Sequence, residues 1–174
     1  MTEFYHEPVL LHEVLKFLIT DRKGIYVDAT LGGGGHMVKI FETTDESSKI
    51  IGFDEDIDAI NYVRNNFKKY EDRLEIINDN FSRLSEEISA LGYTGKISGV
   101  LFDLGVSSFQ IDCKDKGFTY REDSPLDMRL NRTRGVTAEE ILNEYPANEL
   151  ARIFRDYGEE KKAGLLARKI CEGE

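Results

Sequence analysis

The stretch Ile25-Tyr-Val-Asp-Ala-Thr-Leu-Gly-Gly-Gly-Gly-His36 constrains the fold more than any other part of the chain. Ile25-Tyr26-Val27 is a short β-forming run that stops at Asp28, and four consecutive glycines follow at Gly32 to Gly35. Met37, Val38, Ile40 and Phe41 then recur with a helical period. Strand, glycine loop and helix in that order is the layout in which a backbone comes close to a bound cofactor. Glycine permits the approach because it lacks a Cβ and tolerates positive φ. A tight βα turn without a ligand is the plainer reading, but four glycines in a row lose backbone entropy with no return in packing.

The same unit repeats downstream. Lys49 to Phe53 reads as a second strand ending at Asp54, and Asp56 to Lys69 as a helix with Ile57, Ile60, Val63 and Phe67 on one face. Leu74 to Ile77 is a third strand running to Asp79, followed by a helix over Ser82 to Leu91. Ser98 to Phe102 is a fourth strand ending at Asp103. Before the first strand, Leu11, Val14, Leu15 and Leu18 place a helix over Pro8 to Leu18, with Pro8 in its first turn. The helix after the glycines covers residues 36 to 43. Asp28, Asp54, Asp79 and Asp103 are spaced 26, 25 and 24 residues apart. Alternating βα units of equal length imply an α/β fold with a doubly wound parallel sheet, expected in the order 3-2-1-4. The ligand crevice of such a sheet lies outside the strand C-termini, where the four acids fall.

Beyond Asp103 the periodicity stops. Residues 104 to 134 read as a long functional loop. From Thr137 the chain is helical again: Thr137 and Glu140 form a capping-box pattern, Pro146 breaks the first helix, and Gly158 ends the second. A third begins near Glu159. The net charge of −10 argues against nucleic acid as a partner. It is uneven, however: residues 106 to 136 hold six basic and five acidic side chains, a net of +1. The chain has no apolar run long enough to span a membrane and no leader-like N-terminus. Cys113 and Cys171 lack a pairing or metal-binding pattern, as do His6, His12 and His36, so no metal is expected. Two reduced thiols and a cytoplasmic protein are the expectation.

Two cofactors compete for the glycine loop. A dinucleotide needs G-x-G-x-x-G, and counting from Gly32 or Gly33 the third glycine position is Met37 or Val38. S-adenosylmethionine needs a close backbone approach for its methionine end and a carboxylate at the end of the second strand for its ribose. Asp54 stands there, 19 residues after Gly35, although an acid in that place serves either nucleoside. Phe81 can pack on a purine face or be a core aromatic, and position alone leaves both open.

Longer blocks carry a resemblance. His6-x-Pro8-Val-Leu-Leu11, Asp28 to His36, Gly99-Val-Leu-Phe-Asp-Leu-Gly-Val-Ser-Ser-Phe-Gln-Ile-Asp112 and Gly117-Phe-Thr-Tyr-Arg-Glu-Asp-Ser-Pro-Leu-Asp-Met-Arg129 resemble the bacterial small-subunit ribosomal RNA cytosine N4-methyltransferase family (RsmH, also called MraW). Thr137-Ala-x-Glu-x-Leu-Asn143 and Ile153-Phe-x-x-Tyr-Gly-Glu-Glu160 match its helical insertion. The resemblance covers essentially the whole chain and implies a class I methyltransferase, Rossmann-like, with three parts. These are an S-adenosylmethionine-binding domain over 1–105, a substrate loop over 106–136 and the start of a helical insertion over 137–174. It implies cofactor contacts at Gly34, Gly35, His36, Asp54, Phe81, Asp103 and Gln110, and a small-subunit RNA substrate methylated on cytidine N4. Asp103 is the candidate catalytic group by position, and Arg121, Asp127 and Arg129 are substrate-loop candidates. The plainer reading of that loop is a solvated lid held by Asp127–Arg129 pairing. Ser124 and Asn131 depart from the family's usual Gly and Asp, which bears on the loop's conformation. Family members run longer and complete the sheet, so the resemblance also implies a shortened chain whose fourth strand is an unpaired apolar edge. Weak or absent turnover by the chain alone is expected. The alternative is a non-catalytic cofactor-binding module that needs a partner or the missing part. A homodimer is left open.

Overall fold

The structure is a computed structural model and describes residues 8–121 and 123–173. His6 and Glu122 lie outside the described residues. The chain divides into two compact units, the first running to Phe109 and the second starting at Gln110.

The first unit is a four-stranded parallel sheet with helices on both faces. It begins with α1 (Leu11–Leu18), then β1 (Ile25–Asp28), α2 (Gly35–Thr43), β2 (Lys49–Phe53) and α3 (Ile57–Asn66). β3 (Leu74–Ile77), α4 (Leu84–Ala90) and β4 (Ile97–Leu101) complete it. The strand order is β3-β2-β1-β4, as the pattern of βα units predicts. All pairings are parallel, with Tyr26 opposite Ile50 on one side and Gly99 on the other. Alternation along the strands feeds two cores. Tyr26 and Ile50 join Met37, Ile40, Phe41 and Val63 on the face covered by α1, α2 and α3. Val27, Ile51 and Phe53 join Ile88 on the face covered by α4. Burial on both faces explains why the strands read as unbroken apolar runs.

Several boundaries move. Pro8 is not in the first turn of α1; Leu10 accepts the first helical bond from Val14 N–H and does so at φ 51, which stops the helix there. β4 starts and ends one residue earlier than expected, so Asp103 stands two residues past the strand. α3 and α4 are shorter than the apolar period implies, because 3₁₀ turns at Lys68–Tyr70 and Phe81–Arg83 take up their outer residues. Ile57, expected to face inward, is exposed. Among the described residues no strand pairs with the outer edge of β4, and Val100, Phe102 and Leu104 beside it are exposed.

α5 (Ser108–Asp112) and a 3₁₀ turn at Lys114–Lys116 follow β4, so the stretch after Asp103 is not structureless. α6 (Ala138–Glu144), α7 (Ala147–Asp156) and α8 (Ala163–Glu172) pack around Leu150, Ala151 and Ala167. The capping box of α6 forms as its sequence predicts: Glu140 N–H donates to Thr137 Oγ1 and the Glu140 carboxylate accepts from Thr137 N–H. α8 starts at Ala163, not near Glu159, because the chain turns at Glu159 (φ 51) and Glu160 N–H returns to the Phe154 carbonyl. Thr137→Ala is expected to cost about 1 kcal/mol of helix stability. Amide exchange at Glu140 should quicken accordingly; an unchanged rate would refute the cap's role.

Candidate functional site

The glycine loop is stitched between two strands. Ala29 N–H donates to the Leu101 carbonyl, and Leu31 N–H to the Phe53 carbonyl, so pairing continues past the end of β1 on both sides. The chain then turns, with Gly34 N–H donating to the Leu31 carbonyl and Gly34 capping α2 at φ 78. A Cβ on Gly34 would lie 3.0 Å from Met37 Cε and 3.2 Å from Val63 Cγ2, so a side chain there would crowd both neighbours besides being strained at φ 78. The first-turn N–H groups of Gly35, His36 and Met37 have no acceptor within the helix and form a donor-rich end.

The four in-phase acids meet four different fates. Asp28 is fully buried; its Oδ1 accepts from Thr30 N–H, and its Oδ2 has no hydrogen-bond partner. Burial pushes its carboxyl up to about 7, with smaller contributions from Asp54 and Asp103 in the same direction and the Thr30 bond opposing. Asp54 Oδ2 accepts from Gly32 N–H at 2.7 Å and Oδ1 from Asp56 N–H at 2.8 Å, tying the glycine loop to the start of α3. Its carboxyl is also raised, chiefly by burial. Each of its oxygens retains a lone pair for a further donor. Asp79 is spent on an ion pair with Arg83 at 3.2 Å. Asp103 is half exposed, with its own N–H held by Thr30 Oγ1 at 2.8 Å.

His36 sits on the first turn of α2 and is buried. Its Nε2 is 3.0 Å from the Val9 carbonyl and its Nδ1 is 3.8 Å from Asp103 Oδ2. Phe81 is not a core aromatic: it is 38% exposed and meets the half-exposed Phe102 edge to face, with centroids 5.5 Å apart. The first unit thus assembles Gly34, Gly35, His36, Asp54 and Asp103 around the C-terminal ends of β1, β2 and β4, and Phe81 stands just past β3. Gln110 falls on α5 at the start of the second unit and is buried.

The substrate-loop candidates are arranged differently. Arg129 forks onto Asp127, Nε to Oδ1 at 2.7 Å and Nη2 to Oδ2 at 3.0 Å, while Nη1 reaches the Gly135 carbonyl. The guanidinium holds the Asp127 carboxyl below its ordinary range. The Leu126 and Asp127 carbonyls accept from Glu139 and Ala138 at the start of α6, so this pair pins the loop to that helix. Arg121 is exposed, 3.6 Å from Asp112, beside a fully projecting Tyr120. Among the described residues no group of three or more His, Cys, Asp or Glu is placed to hold a metal ion, and no helix is long and apolar enough to cross a membrane.

Sequence reasoning missed Thr30, the Val9 carbonyl and the distinct state of Asp28. Nothing local marks Thr30, whose bond reaches 73 residues along the chain. A fully apolar run ending in an acid was the available signal for Asp28.

The model of the MraW methylase family matches residues 3–174. The chain is 45% identical over 169 residues to ribosomal RNA small subunit methyltransferase H of Heliobacterium modesticaldum, covering 97% of this chain and 54% of that protein. It is 46% identical over 168 residues to the Heliobacterium mobile protein of the same name, and 45% over 170 residues to that of Streptococcus pyogenes serotype M4, with the same coverage. The chain spans about half the length of these curated relatives. A parallel 3-2-1-4 sheet, a glycine loop at its first crossover and a family match across nearly every residue identify this chain as a class I methyltransferase fold belonging to the MraW methylase family.

Proposed function

We propose that the chain binds S-adenosylmethionine at the strand-end rim and serves methylation of a cytidine N4 amine in small-subunit ribosomal RNA. The observation that carries this is Asp54, whose carboxylate clasps the glycine loop through Gly32 N–H while keeping acceptor capacity for a ribose diol. Gly34, Gly35 and His36 offer backbone donors for the methionine end, and Phe81 an exposed ring for the adenine. When bound, the cofactor supplies a methyl group already activated as a sulfonium. The chain's own residues then provide position and charge. Asp103 lies beyond β4, where it attracts a cationic centre and accepts a hydrogen bond from the attacking amine. Residues 1–105 form the cofactor part, 106–136 the substrate loop and 137–174 the start of a helical insertion. The exposed Tyr120 and Arg121 suit an unpaired base and its phosphate, whereas Asp127 and Arg129 act as the loop's internal clamp. A cytoplasmic location follows from the substrate.

With Val100 and Phe102 exposed along an edge of β4 that no strand among the described residues pairs with, binding without efficient turnover is the expected behaviour. Calorimetry with S-adenosylmethionine tests the binding, and methyl incorporation into small subunits tests the turnover. Asp54→Asn is expected to weaken binding about 10- to 100-fold, as for loss of a charge-assisted hydrogen bond. Absence of binding by the unaltered chain would overturn the cofactor reading. Binding without incorporation favours the second reading, a cofactor-binding module completed by a partner or by further chain, which the open β4 edge supports.

A further inference from the structure

Thr30 is fixed more firmly than its place in a loop implies. The N–H of Ala29 before it donates to the Leu101 carbonyl of β4, and that of Leu31 after it to the Phe53 carbonyl of β2. Ala29 and Leu31 are both buried, and the N–H of Thr30 itself donates to Asp28 Oδ1. Stitched to the sheet on either side, the half-buried Thr30 presents its hydroxyl from a backbone whose hydrogen bonds are already made.

The chain facing it is held far less. β4 ends at Leu101, and Phe102, Asp103 and Leu104 beyond it are exposed. Among the described residues the Asp103 carboxylate makes no hydrogen bond, and His36 Nδ1 at 3.8 Å lies beyond hydrogen-bond distance. What holds Asp103 is its N–H, which donates to Thr30 Oγ1 at 2.8 Å. Past the last ladder bond, from Ala29 to Leu101, a side-chain oxygen thus continues the pairing of β1 with β4.

We propose that Thr30 is a positioning residue: its hydroxyl tethers the tip of β4 to the glycine loop and sets how far Asp103 stands from that loop. The tether follows from the geometry alone; its consequence for a ligand rests on the cofactor reading above. In that reading the loop holds the methionine end of the donor and Asp103 faces the sulfonium. Attraction between a carboxylate and a sulfonium falls with distance, whereas the neutral thioether of S-adenosylhomocysteine is indifferent to it. Releasing the tip therefore weakens the charged ligand more than the neutral one.

Two substitutions isolate the oxygen. Thr30→Val keeps the β-branched shape and removes the acceptor; Thr30→Ser keeps the acceptor. Asp103 is exposed, so in Thr30→Val its N–H turns to water and the fold survives. Hydrogen exchange at the Asp103 amide is expected to quicken about five- to tenfold in Thr30→Val and to stay within about twofold of the unaltered rate in Thr30→Ser. The Ala29 amide, on the neighbouring ladder bond, is the internal control and should change in neither. The preference for S-adenosylmethionine over S-adenosylhomocysteine, measured by calorimetry, should fall about threefold in Thr30→Val and recover in Thr30→Ser. An Asp103 amide indifferent to Thr30→Val, equal quickening at Ala29 and Asp103, or a Thr30→Ser chain that behaves as Thr30→Val overturns the tether. A quickened Asp103 amide with an unchanged ligand preference overturns the positioning role. If neither ligand binds the unaltered chain, the cofactor reading fails while the exchange rates still decide the tether.

Discussion

Asparagine in place of Asp28 should raise the stability of the chain by roughly 1–3 kcal/mol at pH 8 and lower it by about 1–3 kcal/mol at pH 4. Asp28 is fully buried at the end of β1, with one carboxyl oxygen unpartnered. Burial lifts its pKa from 3.8 to about 7. Between those values the folded chain keeps a proton that the unfolded chain has released, so raising the pH favours unfolding. The stability present below pH 3.8 is lost progressively up to about pH 7 and stays lost above it. At about 1.4 kcal/mol per unit, the full difference is on the order of 4 kcal/mol. An amide carries no charge and escapes this loss. Its unpartnered N–H takes back about 1–3 kcal/mol, which leaves a gain of roughly 1–3 kcal/mol at pH 8. Urea unfolding at the two pH values measures it. Equal effects at both would show that Asp28 does not titrate in this range. Asp54 shifts in the same direction for the same cause, so the variant should retain a shallower slope of the same sign.

Gly117→Ala should destabilise the second unit by about 3 kcal/mol. Gly117 has φ 74, and a Cβ there would lie 2.3 Å from the Pro125 carbonyl oxygen and 2.7 Å from the Asp127 nitrogen. Both neighbours are backbone, so no side-chain rotation relieves the clash. The segment they belong to is held by Met128 N–H to the Lys116 carbonyl and by the Asp127–Arg129 fork. Gly92→Ala is the matched control: it has the same φ of 74 and nothing within 4 Å of the added carbon. Its expected effect is the conformational strain alone, about 1 kcal/mol. Amide exchange at Met128 reports the first and urea unfolding both. Equal losses at the two glycines would show that crowding at Gly117 contributes nothing.

Much of the framework was legible in the residues. Each strand is a short apolar run closed by an acid, and each was located to within a residue. Apolar period and turn chemistry are local properties, and four strands joined by three crossovers of nearly equal length admit few topologies. The capping box at Thr137 was readable for the same reason, since both partners lie within one turn. Helix ends were less legible: Leu10, Glu159 and the 3₁₀ turns depend on where neighbouring chain pulls the backbone. The stretch after Asp103 hid a short helix because five residues show no period.

Side-chain roles divided along the same line. The pattern placed Asp28, Asp54, Asp79 and Asp103 as equivalents, one per strand end. Their differences come from what lies opposite each of them. Asp28 sits in the central strand and is enclosed, Asp54 faces a glycine N–H, Asp79 meets an arginine one turn on, and Asp103 follows an edge strand. His36 reads as an ordinary helix-start residue until Val9 and Asp103, 27 and 67 positions away, close on its two nitrogens. What the chain determined by itself was the order of strands, the glycine loop at the first crossover and the family they belong to. The tertiary structure alone decided which acids are buried, bound or free, because burial and hydrogen bonding across the sheet depend on residues far apart in the chain, which no local period encodes.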